Sequence, residues 1–137
     1  MKTHRAGIFL SILFFLASSV FTASFAELAP ELGIPVPLVA LIANPEKYDG
    51  KLISTEGLFV WVFEDNAVYL SKEQARHSSL NRIQIMISDA ERVALEKKNH
   101  VKFSKLNGRW VLVRGEFHAY SDHEGAFKHL VTIEFFE

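Results

Sequence analysis

The sequence contains no cysteine, which excludes disulfide bonds, thiolate metal sites and a cysteine-linked lipid anchor. It also lacks the G-x-S-x-G pattern of a nucleophilic serine and the glycine-rich loops that bind phosphates. His77 precedes Ser78 and Ser79, but no acid stands at a spacing that would predict a catalytic triad. These absences predict a non-enzymatic protein that depends on its hydrophobic core for stability.

The first 26 residues have the pattern of a secretory signal peptide. A basic start with Lys2 and Arg5 precedes residues 7–26, which carry no charge. Ser24 and Ala26 place small side chains where a signal peptidase requires them, which predicts cleavage after Ala26. Residues 7–26 also approach the roughly 20 apolar residues of a spanning helix, so a retained anchor is the alternative. Cleavage predicts a periplasmic or secreted protein without a membrane span.

The predicted mature chain is slightly acidic. Loss of Lys2 and Arg5 reduces the 15 basic residues to 13 and leaves all 16 acidic residues, a net charge of about −3. Non-specific binding to nucleic acid depends on basic side chains that neutralise phosphates. This charge therefore argues against nucleic acid as a partner. The remaining length, about 110 residues, is enough for one hydrophobic core.

The apolar pattern predicts a small, mainly β domain over residues 38–137. Residues 27–37 are rich in proline and lack periodicity, so we expect an extended N-terminal lead-in. A short helix is predicted from Leu38 to just before Pro45, because the residue before a proline avoids the helical region. Five strands are predicted at residues 51–63, 67–71, 83–87, 109–120 and 130–136. Residues 72–82 are predicted to form a loop.

A second helix is predicted between the third and fourth strands. Ser88 and Glu91 match a capping box, in which two side chains satisfy the free N–H groups at a helix start. Helical spacing predicts that Val93 and Ala94 face the core while Arg92 faces solvent. The order is therefore helix, three strands, helix, two strands.

This order is that of the five-stranded OB-type Greek-key barrel, with one or two short helices added. Gly57 interrupts the long first strand, as a bend or bulge requires. Residues 44–51 (NPEKYDGK) before this strand, and 106–108 (LNG) before the fourth, are similar to turns of small exported bacterial OB-fold domains. The resemblance covers about residues 38–137. It implies an OB-type barrel and no catalytic residue.

An aromatic row follows one side of the first strand, at Phe59, Trp61 and Phe63. Large rings are typical of small cores, and on OB surfaces they also stack on bases or sugars. The short turn predicted at residues 64–66 favours the core, since this loop commonly forms a wall of OB ligand clefts. Both interpretations stay open. A single-stranded nucleic-acid or oligosaccharide binder is thus one alternative function, with Trp61 as a candidate contact.

A polar stripe occupies alternate positions of the fourth strand. Its members are Arg114, Glu116, His118 and Tyr120. Mixed charges of this kind are typical of a solvated sheet face, where cross-strand pairs contribute about 0.2–1 kcal/mol each. The stripe leads into a predicted loop at residues 121–128, which contains His123. We therefore predict that the stripe, His123 and Trp61 bind a small ligand or a protein partner.

Three histidines surround the same loop, namely His118, His123 and His129. Imidazole and carboxylate groups could hold Zn²⁺ or Cu²⁺ there. Their spacing matches no rigid motif such as H-E-x-x-H, and a loop is poorly suited to fixing tetrahedral geometry. We therefore predict no cofactor, and a metal-binding protein or metal-dependent enzyme built on these histidines is the alternative.

Overall fold

The computed structural model describes residues 32–77, 79–120, 122 and 124–136. The predicted signal peptide and the start of the predicted lead-in lie outside these residues. Within them, no helix is both long enough and apolar enough to span a bilayer. Gly33–Glu137 form one compact unit.

The described chain is mainly β with short helices, which confirms the predicted fold class. Its strands are β1 (Ile34–Pro35), β2 (Lys51–Val62), β3 (Asp65–Tyr69), β4 (Arg82–Ile85), β5 (Trp110–Ala119) and β6 (Gly125–Phe135). Its helices are α1 (Leu38–Ala43), α2 (Lys72–Arg76), α3 (Asp89–Asn99) and α4 (Phe103–Leu106), with a 3₁₀ turn at Pro45–Tyr48. The connections are short, as in most compact domains.

The strands β2 to β6 close a barrel in the order β2-β3-β4-β6-β5, because β2 also pairs with β5. The first part of β2 pairs with β5 from Lys51 to Leu58, and its last part pairs with β3. β4 and β6 pair in parallel, whereas the other barrel pairs are antiparallel. This closed, mixed barrel is compatible with the OB-type topology that the sequence predicts.

Gly57 lies where β2 passes from its pairing with β5 to its pairing with β3. A Cβ atom at this buried position would overlap the side chain of Val68. It would also lie 2.9 Å from both Leu38 Cδ2 and the carbonyl oxygen of Tyr69. The missing side chain therefore allows β2, β3 and α1 to approach one another.

One main hydrophobic core fills the barrel. It is rich in aromatic rings, including Phe59 and Phe103, whose centroids lie 5.3 Å apart in an edge-on arrangement. α1 contributes the buried side chains of Leu38 and Leu41, and α4 contributes Phe103 and Leu106. The short helices thus close parts of the barrel that the strands leave open.

The prediction of which face of α3 is buried is wrong. Val93 is 53% exposed and Ala94 is exposed, whereas Leu95 and Glu96 are buried. The buried side of α3 is partly polar, because Glu96 Oε1 accepts the Phe103 N–H at 2.9 Å and Asn99 Nδ2 donates to the Ile133 carbonyl at 3.0 Å. Apolar periodicity cannot identify a helix face that is held by hydrogen bonds.

Two predicted loops contain secondary structure. β6 begins at Gly125, so the predicted loop at 121–128 is shorter than expected. The predicted loop at 72–82 contains α2, which Ser71 caps by accepting the Gln74 N–H at 3.2 Å. Part of the predicted lead-in forms β1, which pairs in parallel with β2.

Candidate functional site

The polar stripe of β5 is half-buried along its length. Arg114 lies between Ser54 of β2 and Thr132 of β6 in the sheet. Its Nε is buried and has no hydrogen-bond partner among the described residues. Glu116 lies opposite His129 of β6. The stripe is therefore flanked by both neighbouring strands.

His118 is held between two carboxylates. Its Nε2 lies 2.7 Å from Glu116 Oε1, and its Nδ1 lies 3.6 Å from Asp49 Oδ1. Asp49 Oδ1 also accepts the Ala119 N–H at 2.9 Å, which fixes the carboxylate against the end of β5. The two carboxylates thus fix the orientation of the imidazole ring from opposite sides.

His129 pairs with a different acid. Its Nδ1 lies 2.8 Å from Glu91 Oε1, and this hydrogen bond raises the pKa of His129 and lowers that of Glu91. The other oxygen of Glu91 accepts the Ser88 N–H at 3.0 Å, which confirms the predicted capping box of α3. His123 lies outside the described residues. Among those that are described, no three His, Cys, Asp or Glu side chains form a group suited to a metal ion.

The aromatic row does not form one stacking surface. Phe59 is fully buried, and the half-buried ring of Trp61 stacks on it with a centroid distance of 6.0 Å. Trp61 also meets the edge of Phe103 at 5.0 Å. Phe63, in contrast, is 91% exposed at the turn between β2 and β3. The row thus changes from core to surface along the strand.

Tyr120 contacts the end of β4. Its hydroxyl donates to Met86 Sδ at 3.2 Å, and its N–H donates to the Glu124 carbonyl at 2.8 Å. Lys128 Nζ lies 5.5 Å from the centre of its ring, within cation–π range. Tyr120 therefore borders a surface of β4 that the sequence analysis did not identify.

That surface contains a cleft of about 220 Å³, which we call the polar cleft. It is lined by Glu64, Asp65 and Asn66 from the β2–β3 turn and β3, and by Arg82, Gln84 and Met86 from β4 and the residue after it. Asn66 Oδ1 is buried without a hydrogen-bond partner in the described part of the chain. Two of its lining residues, Gln84 and Met86, also contact the β5–β6 connection through Glu124 and Tyr120.

The charged groups of the polar cleft are held by Tyr69. Its hydroxyl lies 3.0 and 2.9 Å from the two carboxylate oxygens of Asp65, and it accepts from Arg82 Nη1 at 3.1 Å. Burial raises the pKa of Tyr69, so the hydroxyl stays protonated and can donate to Asp65. Arg82 Nη1 also lies 3.8 Å from Asp65 Oδ1. The three side chains thus fix one another.

A second hydrogen bond connects the polar cleft to the β5–β6 connection. Gln84 Nε2 donates to Glu124 Oε2 at 3.1 Å. The sequence offered one signal for Arg82 and Gln84, because they alternate with Ile83 and Ile85, which point into the core. The sequence gives no comparable signal for Asp65, because it predicts a turn at residues 64–66.

Comparison with protein-family models, with curated proteins and with solved structures gave no match for this chain.

Proposed function

We propose that this protein is an exported, non-enzymatic binding domain of the OB-fold superfamily. Its ligand site is the polar cleft together with Tyr120 and Glu124. The signal-like residues 1–26 support export. The closed barrel supports the OB relationship, and so does α3, the longest described helix, which lies between β4 and β5.

The observation that carries the proposal is the fixed arrangement of polar side chains in the cleft. Asp65, Tyr69 and Arg82 hold one another by hydrogen bonds, and Gln84 is bonded to Glu124. Binding costs less when the contacting groups are already ordered in the free protein. The position also fits, since the corresponding loops flank the ligand clefts of OB folds.

The lining predicts which ligand groups fit. Glu64 and Asp65 bring carboxylate oxygens to the lining, and Glu124 lies beside it, bonded to Gln84, whereas Arg82 is the cation that lines the cleft in the described chain. Acceptors and negative charge therefore dominate. A small polar ligand that presents hydrogen-bond donors or a positive charge is favoured, with a protein partner of the same chemistry as the alternative.

Native mass spectrometry tests the proposal on the untagged full chain, expressed in a host that exports it and purified from the exported fraction. We expect a ligand adduct on the wild-type protein that is reduced in Gln84→Ala and Glu124→Ala. Glu73→Ala, which removes an exposed acid of α2, serves as the control and retains the adduct. The same spectrum shows whether the chain begins at Glu27.

Two results would contradict the proposal. One is a ligand-free mass for protein taken directly from the exported fraction. The other is an adduct that Gln84→Ala and Glu124→Ala retain as fully as the control does, because the ligand would then bind elsewhere.

A further inference from the structure

A second cleft, which we call the apolar cleft, lies between residues 35–39 and the outward side of β2 and β5. Its volume is about 570 Å³, within the range of roughly 300–1,000 Å³ typical of ligand pockets. The lining is mainly apolar and includes Val36, Leu38, Val39, Leu70, Trp110 and Leu112. Trp110 is 42% exposed and Val39 is 57% exposed. Large apolar side chains are thus available to an occupant.

Two acids flank the apolar side chain of Leu112. The register places Leu112 of β5 opposite Glu56 of β2 on one side and opposite Glu134 of β6 on the other. Directly paired residues share a face, and neighbouring strands lie about 4.8 Å apart, so the two acids stand roughly 10 Å from each other. Neither carboxylate forms an ion pair within the described chain. Glu56 lines the cleft, and Glu134, which accepts a hydrogen bond from Thr132 Oγ1 at 3.4 Å, lies on the other side of Leu112, so both carboxylates can pair with a cation there.

The apolar surface continues beyond the cleft. The Phe136 N–H lies 3.4 Å from the Trp110 carbonyl oxygen, so these residues are neighbours across β5 and the end of β6. Phe136 is 49% exposed. An occupant that covered both Val39 and Phe136 would have to extend across several strands, which favours a polypeptide segment over a compact small molecule.

The edge of β2 also has backbone groups beside the cleft, between its pairings with β1 and β3. Alternate residues of a strand direct their N–H and C=O groups to the same side. The Ser54 carbonyl accepts the Val36 N–H at 2.9 Å, and Leu58 pairs with Tyr69. The backbone N–H and C=O groups of Glu56 therefore face the gap between Val36 and Tyr69. Beside it, Thr55 is 2% exposed and lines the cleft, and its Oγ1 has no hydrogen-bond partner in the described residues.

We propose that the apolar cleft binds an extended segment of a partner protein in which lysine or arginine stands two residues before and two residues after an apolar residue, so that all three side chains face the barrel. The apolar side chain packs on Trp110 and Leu112, and the basic side chains pair with Glu56 and Glu134. An anionic ligand, such as a fatty acid, is disfavoured because these carboxylates would repel it. This inference concerns a different surface from the polar cleft and stands independently of it.

NMR titration of the ¹⁵N-labelled exported protein tests this inference. The probe is the capped peptide Lys-Ser-Leu-Ser-Lys, compared with Glu-Ser-Leu-Ser-Glu and with Lys-Ser-Ser-Ser-Lys. We expect a saturable change in the chemical shift of the Trp110 indole N–H with the first peptide. The two comparison peptides should bind at least about tenfold more weakly. The indole of Trp61, which packs against Phe59 and Phe103, is the internal reference.

Variants separate this binding mode from its rivals. Trp110→Ala and Glu56→Gln are expected to weaken binding about tenfold, Glu56→Asp to retain it, and Glu73→Gln to leave it unchanged. Equal binding of all three peptides, or full binding by Glu56→Gln, would overturn the proposal. So would an equal shift with dodecyl maltoside monomers, which indicates a small-molecule site. If the chemical shift of the Trp110 indole changes with protein concentration when no peptide is present, the occupant is a second copy of this chain, which also contradicts the proposal.

Discussion

The polar cleft and the apolar cleft are built on one barrel but differ in how their charged groups are held. In the polar cleft, Asp65 and Arg82 are both bonded to the buried Tyr69 hydroxyl. At the apolar cleft, Glu56 and Glu134 are exposed and form no ion pair among the described residues. Buried polar groups must be hydrogen-bonded, whereas exposed acids are already solvated by water. The first set of charges therefore contributes to folding, and the second set is free to act in binding alone.

Gly57→Ala is expected to have the largest effect, because Gly57 lies in the strand that pairs with both β3, which lines the polar cleft, and β5, which lines the apolar cleft. The added methyl group overlaps Val68 and crowds the Tyr69 carbonyl oxygen, so we expect a loss of about 3 kcal/mol or more in the free energy of unfolding. Urea denaturation measures this loss. Ser54→Ala, on the outward side of the same strand, should change stability by less than about 0.5 kcal/mol. Equal stability of the two variants would mean that the close approach at Gly57 is not required.

Asp65→Ala examines the polar cleft by itself. The substitution leaves the buried Tyr69 hydroxyl without its acceptor, so we expect destabilisation of about 1–3 kcal/mol. Asp65→Asn retains an acceptor oxygen and should lose less. Urea denaturation with Glu73→Ala as the exposed control provides the measurement. If Asp65→Ala is as stable as this control, the hydrogen-bonded set does not contribute to folding.

The pair of His129 and Glu91 predicts a pH dependence on the β5–β6 side of the barrel. The folded pKa of His129 is raised above 6.5, so its contribution to stability is complete below 6.5 and disappears as pH rises through the folded value. The folded pKa of Glu91 is lowered below 4.5, so its contribution is complete above 4.5 and disappears as pH falls through the folded value. Together they stabilise the fold most between pH 4.5 and 6.5.

Proton NMR titration of the His129 ring measures this coupling. Glu91→Gln is the matched variant, because glutamine still suits the third position of a capping box but carries no charge. We expect the pKa of His129 to fall towards its ordinary value in this variant. An unchanged pKa would show that the contact with Glu91 does not control the titration.

Glu56→Gln and Glu134→Gln should have the smallest effects on stability. Both side chains are exposed, so each substitution should change the free energy of unfolding by less than about 0.5 kcal/mol. Thermal unfolding of the two variants and of the double variant measures this. A larger loss would remove the contrast between the two clefts, because the acids would then be part of the folding interactions.

The sequence predicted the barrel better than it predicted the surfaces. Alternation along residues 51–63 and the capping box at Ser88 and Glu91 are local patterns, and both are present in the fold. The buried face of α3 was predicted wrongly, because Glu96 and Asn99 are held by hydrogen bonds to α4 and β6, which lie outside the helix itself. Of the predicted binding residues, Tyr120 borders the polar cleft, whereas Glu116 and His118 pair with each other beside Asp49.

By itself, the sequence determined the strand pattern and the acidic balance of the chain. These features depend on the side-chain period of a strand and on composition, which need no knowledge of distant contacts. Only the tertiary structure decided that Asp65, Tyr69 and Arg82 meet, and that Glu56 and Glu134 flank Leu112. The reason is that strand pairing and register bring these residues together across the barrel, and no local pattern encodes which strands become neighbours.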